Sequence, residues 1–286
     1  MSEPLDPRVV ALYDDYCHGQ ISRREFFKRA TALGVVVAAT AMLPRYAEAA
    51  LISFTDDRIR PRYVDYDSPG GNSGRMRGYL VAPAGEGPFP PVLVIHENRG
   101  LNPHIEDVAR RFAVEGFLAL APDGLAPAGG YPGNDDDGRQ MQRALDRAKL
   151  REDMFNSANW LAQHELAGDK LGVTGFCWGG STTNYLAARM GDGVTAAVPF
   201  YGSGLKPEDV PGVSAAVMVQ SAENDPRINK QWPEFEAALK ANDVDYVRHL
   251  YPGTNHGFHN NSTTRYDEPA AKLAWQRTVD FFREKL

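Results

Sequence analysis

The stretch Leu171-Gly172-Val173-Thr174-Gly175-Phe176-Cys177-Trp178-Gly179-Gly180 decides the fold. Leu171–Thr174 reads as a short buried strand and Trp178–Arg189 as a helix, so the residues between them form a strand-to-helix turn. The turn has the spacing G-x-nucleophile-x-G, with cysteine in the serine place. So tight a turn crowds together the residues two before and two after its apex, and both, Gly175 and Gly179, are glycine. The apex side chain, Cys177, is thereby pushed out above the sheet. The backbone N–H of Trp178, at the helix start, points where an oxyanion would form.

Working outward, the pattern alternates. Upstream, Arg60–Asp67 and Arg75–Ala82 flank a turn-rich Ser/Pro/Gly/Asn link and read as a β-hairpin. Val92–Ile95 is a strand, Pro103–Glu115 an amphipathic helix and Phe117–Ala121 a strand. A Gly/Pro/Asp loop then runs from Pro122 to Gly138, and a long helix from Arg139 to His164. Downstream come strands Val194–Phe200, Ala215–Gln220 and Val244–Leu250, with helices Lys230–Ala241 and Glu268–Phe282. Continuous apolar strands alternating with helices imply an α/β fold: a mostly parallel sheet covered on both faces, with the antiparallel hairpin at its N-terminal edge. Ligands of such sheets sit outside the carboxyl ends of the strands, so the loops after Ile95, Ala121, Thr174, Phe200, Gln220 and Leu250 are the ones to inspect.

Composition narrows the function classes. Of 286 residues, 43% are apolar and 24% charged, enough for a packed core. A net charge of −6 with no basic excess argues against a nucleic-acid-binding face. Two cysteines, Cys17 and Cys177, exclude a disulfide framework. No histidine pair has metal-ligand spacing with a carboxylate partner, so neither metal nor cofactor is expected. No apolar run is long enough for a membrane-spanning helix.

The N-terminal 49 residues stand apart from a single catalytic domain expected over 50–286. Ser22-Arg23-Arg24-Glu25-Phe26-Phe27-Lys28 precedes an uncharged run from Ala30 to Pro44 and the small-x-small pattern Ala47-Glu48-Ala49. That is the layout of an export signal, and the SRREFFK string resembles a twin-arginine signal. This implies the export machinery as a partner and a periplasmic or secreted location, with Cys177 left as a lone thiol. The alternative is a cytoplasmic chain that keeps an N-terminal helical extension, because Pro7–Tyr16 has helical periodicity.

A thiol nucleophile needs a base, since a free cysteine with pKa near 8.5 is only a few per cent ionised at neutral pH. After this kind of elbow the acid and the histidine come later in the chain, past later strands. Asp225 lies in Ser221-Ala222-Glu223-Asn224-Asp225-Pro226, and His256 in Gly253-Thr254-Asn255-His256-Gly257-Phe258. The order Cys177, Asp225, His256 fits, with Glu223 the rival acid and His259 the rival base. His96-Glu97-Asn98-Arg99-Gly100 follows a buried strand, which faces Glu97 toward the site; the plainer reading is a solvated loop acid. The backbone N–H of Asn98 is the candidate second oxyanion donor. Tyr201, Phe258 and Trp178 either line an apolar pocket or pack the core.

With these residues in hand the chain resembles the dienelactone hydrolase family from about Arg60 to the C-terminus. The resemblance rests on HENRG at 96–100, PDG at 122–124, GFCWGG at 175–180, the Asp225 loop and NHGF at 255–258. It implies an α/β-hydrolase fold and hydrolysis of a lactone or ester through a cysteine acyl-enzyme. It also implies that Glu97 interacts with the thiol and helps generate the thiolate on substrate binding. Well-studied members bind a substrate carboxylate with arginines. One lies four residues after the catalytic histidine, where this chain has Asn260; the other follows the PDG loop, where Arg139 and Arg143 are near. Arg139 is therefore a candidate pocket residue and the expected partner is a small ester or lactone. The competing readings are a general carboxylesterase or thioesterase, a non-catalytic binding module with an inert Cys177, and a thiol redox sensor.

Overall fold

The computed structural model describes residues 8, 12, 21, 23–35, 50–72 and 74–286. Cys17, the cleavage pattern at 47–49, and most of the 7–16 helical pattern and of the uncharged run lie outside the described residues. The paired arginines open helix α1 (Arg23–Ala32), which buries Phe26 and Ala30. Among the described residues no helix is long and apolar enough to cross a membrane.

Strands β1 (Ile59–Ser68), β2 (Gly74–Pro83), β3 (Pro91–Ile95), β4 (Leu118–Pro122), β5 (Gly172–Phe176), β6 (Ala196–Phe200), β7 (Ala216–Asn224) and β8 (Tyr246–Asn255) form one sheet, in the order β1-β2-β4-β3-β5-β6-β7-β8. β2 runs antiparallel to both β1 and β4, and every pair from β4 to β8 is parallel. The antiparallel hairpin thus sits at the N-terminal edge, as its turn chemistry predicts. β3 to β6 are buried at every position, which is why their sequences are continuously apolar rather than alternating.

The helices that cover the sheet are α2 (Pro103–Val114), α3 (Asp135–Ala144), α4 (Arg147–Ala162), α5 (Trp178–Met190), the short α6 (Pro226–Asn229), α7 (Trp232–Ala241) and α8 (Glu268–Lys285). Alternate residues of β3 feed opposite cores. Val92 and Val94 pack with Phe112 of α2 and Phe282 of α8, whereas Leu93 and Ile95 pack with Met154 of α4 and Leu186 of α5.

Two expectations are corrected. The single helix over 139–164 is two helices. Leu145 is extended at φ −74°, ψ 152°, and the Asp146 carboxylate accepts the Ala148 and Lys149 N–H groups, starting α4 afresh. The run Asp135-Asp136-Asp137 belongs to the first turn of α3, where the helix dipole favours acids. The last strand also runs past Leu250 to Asn255, which brings His256 directly onto its carboxyl end.

The order β4-β3-β5 means that the chain winds first to one side of β3 and then to the other. Loops leaving β3 and β5 therefore part from each other and open a crevice at the carboxyl edge. Asn98 and Cys177 sit in those two loops.

Candidate active site

Cys177 is the residue between β5 and α5, and its backbone lies at φ 57°, ψ −110°. A residue with a side chain is held at positive φ only where its surroundings enforce it, at a cost of about 1–3 kcal/mol. Here they do. A Cβ on Gly175 would fall 2.4 Å from the Gly179 carbonyl oxygen, and one on Gly179 would fall 2.3 Å from that of Ile95. The Cys177 N–H donates to the Phe200 carbonyl at 3.1 Å, and the Ser181 N–H donates to the Cys177 carbonyl at 3.1 Å. The elbow is thus wedged between the ends of β3 and β6. Its thiol is half-buried and lines a cleft of about 790 Å³, shared with Asn98, Trp178, Tyr201 and Arg139.

Asp225 caps α6 through Oδ1, which accepts the Ile228 N–H at 3.3 Å. Its other oxygen accepts from His256 Nδ1 at 2.5 Å, with both side chains buried. The carboxylate thereby fixes the ring so that Nε2 is the nitrogen available to a reacting group. Burial pushes the imidazole pKa down, but the neighbouring Cys177 charge, hydrogen bonds to Asp225 and Cys177 and the Asp225 charge outweigh it, and the pKa is pushed up to about 10. Burial also acts to raise the Asp225 pKa; the His256 hydrogen bond, its charge and that of Arg227 hold it below the usual value. Cysteine, histidine and aspartate are therefore brought together from the ends of three strands. Neither rival takes these places. Glu223 is exposed and accepts the Gly253 N–H at 2.8 Å. His259 is buried against Phe176 and Phe200, and burial pushes its pKa well down.

Glu97 is not a solvated loop acid: it is 1% exposed. Its Oε2 accepts from Asn260 Nδ2 at 3.1 Å and lies 3.6 Å from Arg99 Nε. Burial acts to raise its pKa, but the charges of Arg99, His104 and Arg265 keep it low, so the carboxylate is ionised. Arg99 also donates to Asp135 at 2.7 Å, and Asp135 accepts from the Tyr131 hydroxyl at 2.9 Å. A Cβ on Gly138 would fall 2.5 Å from the Arg99 carbonyl oxygen, so α3 is packed hard against the β3 loop. Asn260, at the position of a substrate-binding arginine in the resembled family, is 1% exposed and turned to Glu97. Sequence reading missed this network because Arg99 and Asp135 are 36 residues apart.

The remaining candidates divide. His96 is structural: the Gly124 N–H donates to Nε2 at 3.1 Å, and Nδ1 donates to the Glu97 carbonyl at 2.6 Å. Burial holds it neutral, with its pKa near 4, and its ring stacks on Trp178. Tyr201 lines the cleft with its ring centroid 4.9 Å from that of His256, at the uncommon φ of 37°. Its buried hydroxyl has no hydrogen-bond partner among the described residues. Phe258, expected as a pocket residue, is instead fully buried against Tyr201 and Tyr251 and is not among the lining residues. The turn after His256 directs it inward. Arg139 does line the cleft and pairs with Asp136 at 2.6 Å. Among the described residues no cluster of three or more His, Cys, Asp or Glu is arranged to hold a metal ion.

Comparison with known proteins gives a consistent picture. The model of the "Dienelactone hydrolase family" matches residues 76–286, and a second model, "YqhI-like", matches residues 1–35. A "Putative hydrolase fragment YghX" of Escherichia coli (strain K12) is 59% identical over 104 residues, covering 36% of this chain and 88% of its own. A "Putative carboxymethylenebutenolidase" of Yersinia pestis is 31% identical over 212 residues, covering 69% of this chain and 79% of its own. Among solved structures, a "Putative Dienelactone Hydrolase" from Klebsiella pneumoniae superposes with a TM-score of 0.66 at 28% identity, over 78% of this chain and 99% of that one.

Proposed function

The chain belongs to the dienelactone hydrolase family and is an ester-hydrolysing enzyme of α/β-hydrolase fold, and we propose that it cleaves a carboxylic ester or lactone with Cys177 as nucleophile. The observation that supports this most is the strained Cys177 elbow at the mouth of the cleft beside the buried His256–Asp225 pair.

Cys177 as thiolate attacks the substrate carbonyl carbon, forming a C–S bond while the carbonyl electron pair moves to oxygen. The backbone N–H groups of Trp178 and Asn98 hold that oxyanion, each worth about 2.7–4 kcal/mol. Collapse expels the alkoxide, which takes a proton from His256, and leaves a thioester. Water then attacks the thioester carbon, its proton passing to His256, and the thiolate departs. Asp225 holds the imidazole in the orientation and tautomer both steps need. Glu97, fixed by Asn260 and Arg99, supplies buried negative charge beside the thiol loop and acts as a positioning residue. Hydrolysis of a dienelactone, followed by its ultraviolet absorbance, tests the reading with wild type and Cys177→Ala in parallel. Turnover that disappears in the variant supports it; a Cys177→Ala protein with full activity removes it.

For the N-terminal segment we propose an export signal of the twin-arginine type, on the strength of the 22–28 string. Fractionation of cells expressing the full chain tests it: a shortened protein outside the cytoplasm supports export, and a full-length cytoplasmic protein contradicts it.

A further inference from the structure

Helix α3 buries an unusual face. Its buried residues are Asp135, Gly138 and Gln142, whose spacing puts them on one side of the helix. On a helix that packs against a core this side is apolar; here it is an acid, a glycine and an amide. Among the described residues of the two apolar cores, none comes from α3. The face is turned instead to the loop after β3. Asp135 accepts from the Arg99 guanidinium at 2.7 Å. Gly138 leaves room for the Arg99 carbonyl oxygen, which would lie 2.5 Å from a Cβ there. The Gly100 N–H donates to Gln142 Oε1 at 2.9 Å, and this bond is buried. The Arg99 carbonyl and the Gly100 N–H belong to one peptide unit, so α3 grips that unit at both ends.

The other end of the loop is held by the elbow. A Cβ on Gly179 would fall 2.3 Å from the Ile95 carbonyl oxygen and 2.6 Å from that of His96. Asn98 lies midway between the two holds, after His96 and before Gly100. The first hold is backbone that the nucleophile turn itself requires. The second comes from side chains on a separate helix. Resting on the reading of the Asn98 N–H as an oxyanion donor, we propose that Gln142 is a positioning residue for ester cleavage: with Asp135 and Gly138 it makes α3 the outer clamp that sets the Asn98 N–H in the cleft. A donor serves an oxyanion only at about 2.7–3.1 Å from it, so the loop has to be fixed on both sides of Asn98. Loss of the Gln142 acceptor frees the Gly100 side of the loop. Cys177, Asp225 and His256 stand at the ends of other strands and keep their places.

The test compares full-length wild type, Gln142→Met, which keeps the length of the side chain and loses the acceptor, and Gln142→Glu, which keeps an acceptor oxygen. Two rates are read on each protein. One is the acylation burst with 4-nitrophenyl acetate in stopped flow. The other is alkylation of Cys177 by iodoacetamide, which needs the thiolate and no oxyanion donor. In Gln142→Met the burst rate is expected to fall about tenfold to a hundredfold while alkylation stays within about twofold of wild type, and Gln142→Glu is expected to recover most of the burst rate. The second readout is amide NMR of the 1,1,1-trifluoroacetone adduct, in which the Cys177 thiolate bonds to the ketone carbon and the carbonyl electron pair moves to oxygen. The Asn98 amide proton is expected to move downfield on adduct formation in wild type and Gln142→Glu, and much less in Gln142→Met. An unchanged burst rate, or burst and alkylation rates that fall together, overturns the proposal, and so does an Asn98 shift that persists in full in Gln142→Met. Two outcomes place the failure earlier and overturn the proposal with it: no adduct on wild-type Cys177, which removes the nucleophile, and an adduct that leaves Asn98 unmoved, which removes the oxyanion donor.

Discussion

Gly179→Ala tests the elbow at its tightest point. The added Cβ would lie 2.3 Å from the Ile95 carbonyl oxygen and 2.6 Å from that of His96, whereas ordinary contact begins near 3.4 Å. One backbone segment must retreat by about 1 Å, since neither neighbour is the end of a flexible side chain. The segment struck is the β3 loop that carries the Asn98 N–H, while the alanine itself follows Trp178. The substitution therefore pushes apart the two proposed halves of the oxyanion site. A misplacement of about 1 Å at a reacting centre costs on the order of a hundredfold in rate. Overpacking of this kind costs roughly 1–3 kcal/mol, and at about 2–4 °C per kcal/mol for a domain of this size Tm is expected to fall by up to roughly 10 °C. The assay is kcat/KM for a dienelactone and for 4-nitrophenyl acetate, with calorimetry confirming a folded protein. Gly168→Ala is the control, because its Cβ meets nothing nearer than 3.6 Å and both activity and Tm should hold. A folded Gly179→Ala protein within about threefold of wild-type kcat/KM would refute the geometric reasoning.

Other consequences follow from the same contacts. Asp225→Asn removes the acceptor for His256 Nδ1 and frees the ring to take the wrong tautomer, so kcat should fall by about 10³–10⁴-fold. The imidazole pKa, pushed up to about 10 in the wild type, should move down in the same variant when followed by NMR. Asp135→Asn breaks the buried pair with Arg99, for which about 3–5 kcal/mol is typical, and denaturant unfolding should show the loss. Tyr201→Phe removes a buried hydroxyl that has no hydrogen-bond partner among the described residues, so thermal stability should hold or rise; a marked drop in Tm would show that the hydroxyl is paired after all.

The elbow was legible because its glycine spacing is forced by backbone contact within a few residues, and local geometry of that kind is written in order along the chain. Asp225 and His256 were legible for a related reason: each follows an apolar strand, and strand ends converge on one edge of a parallel sheet. Longer-range pairings were not. Nothing near Glu97 announces that Asn260 and Arg99 hold it, or that Asp135 in turn holds Arg99. The break between α3 and α4 was missed because Leu145 and Asp146 fit a helical pattern, and only the Asp146 side chain, turned onto the next N–H groups, reveals a cap. Phe258 shows the limit for aromatics: proximity to His256 in sequence does not say whether the ring faces the cleft or the core, and the turn sends it to the core.

The central claim is that Cys177 becomes acylated during turnover. Intact-protein mass spectrometry on rapidly quenched reactions with a slow 4-nitrophenyl ester tests it directly, with peptide mapping to locate the adduct. The account predicts a transient mass increase equal to the acyl group, located on Cys177, labile to hydroxylamine and absent from Cys177→Ala. Turnover with no adduct under conditions where product forms in a burst, or an adduct on any other residue, would contradict it.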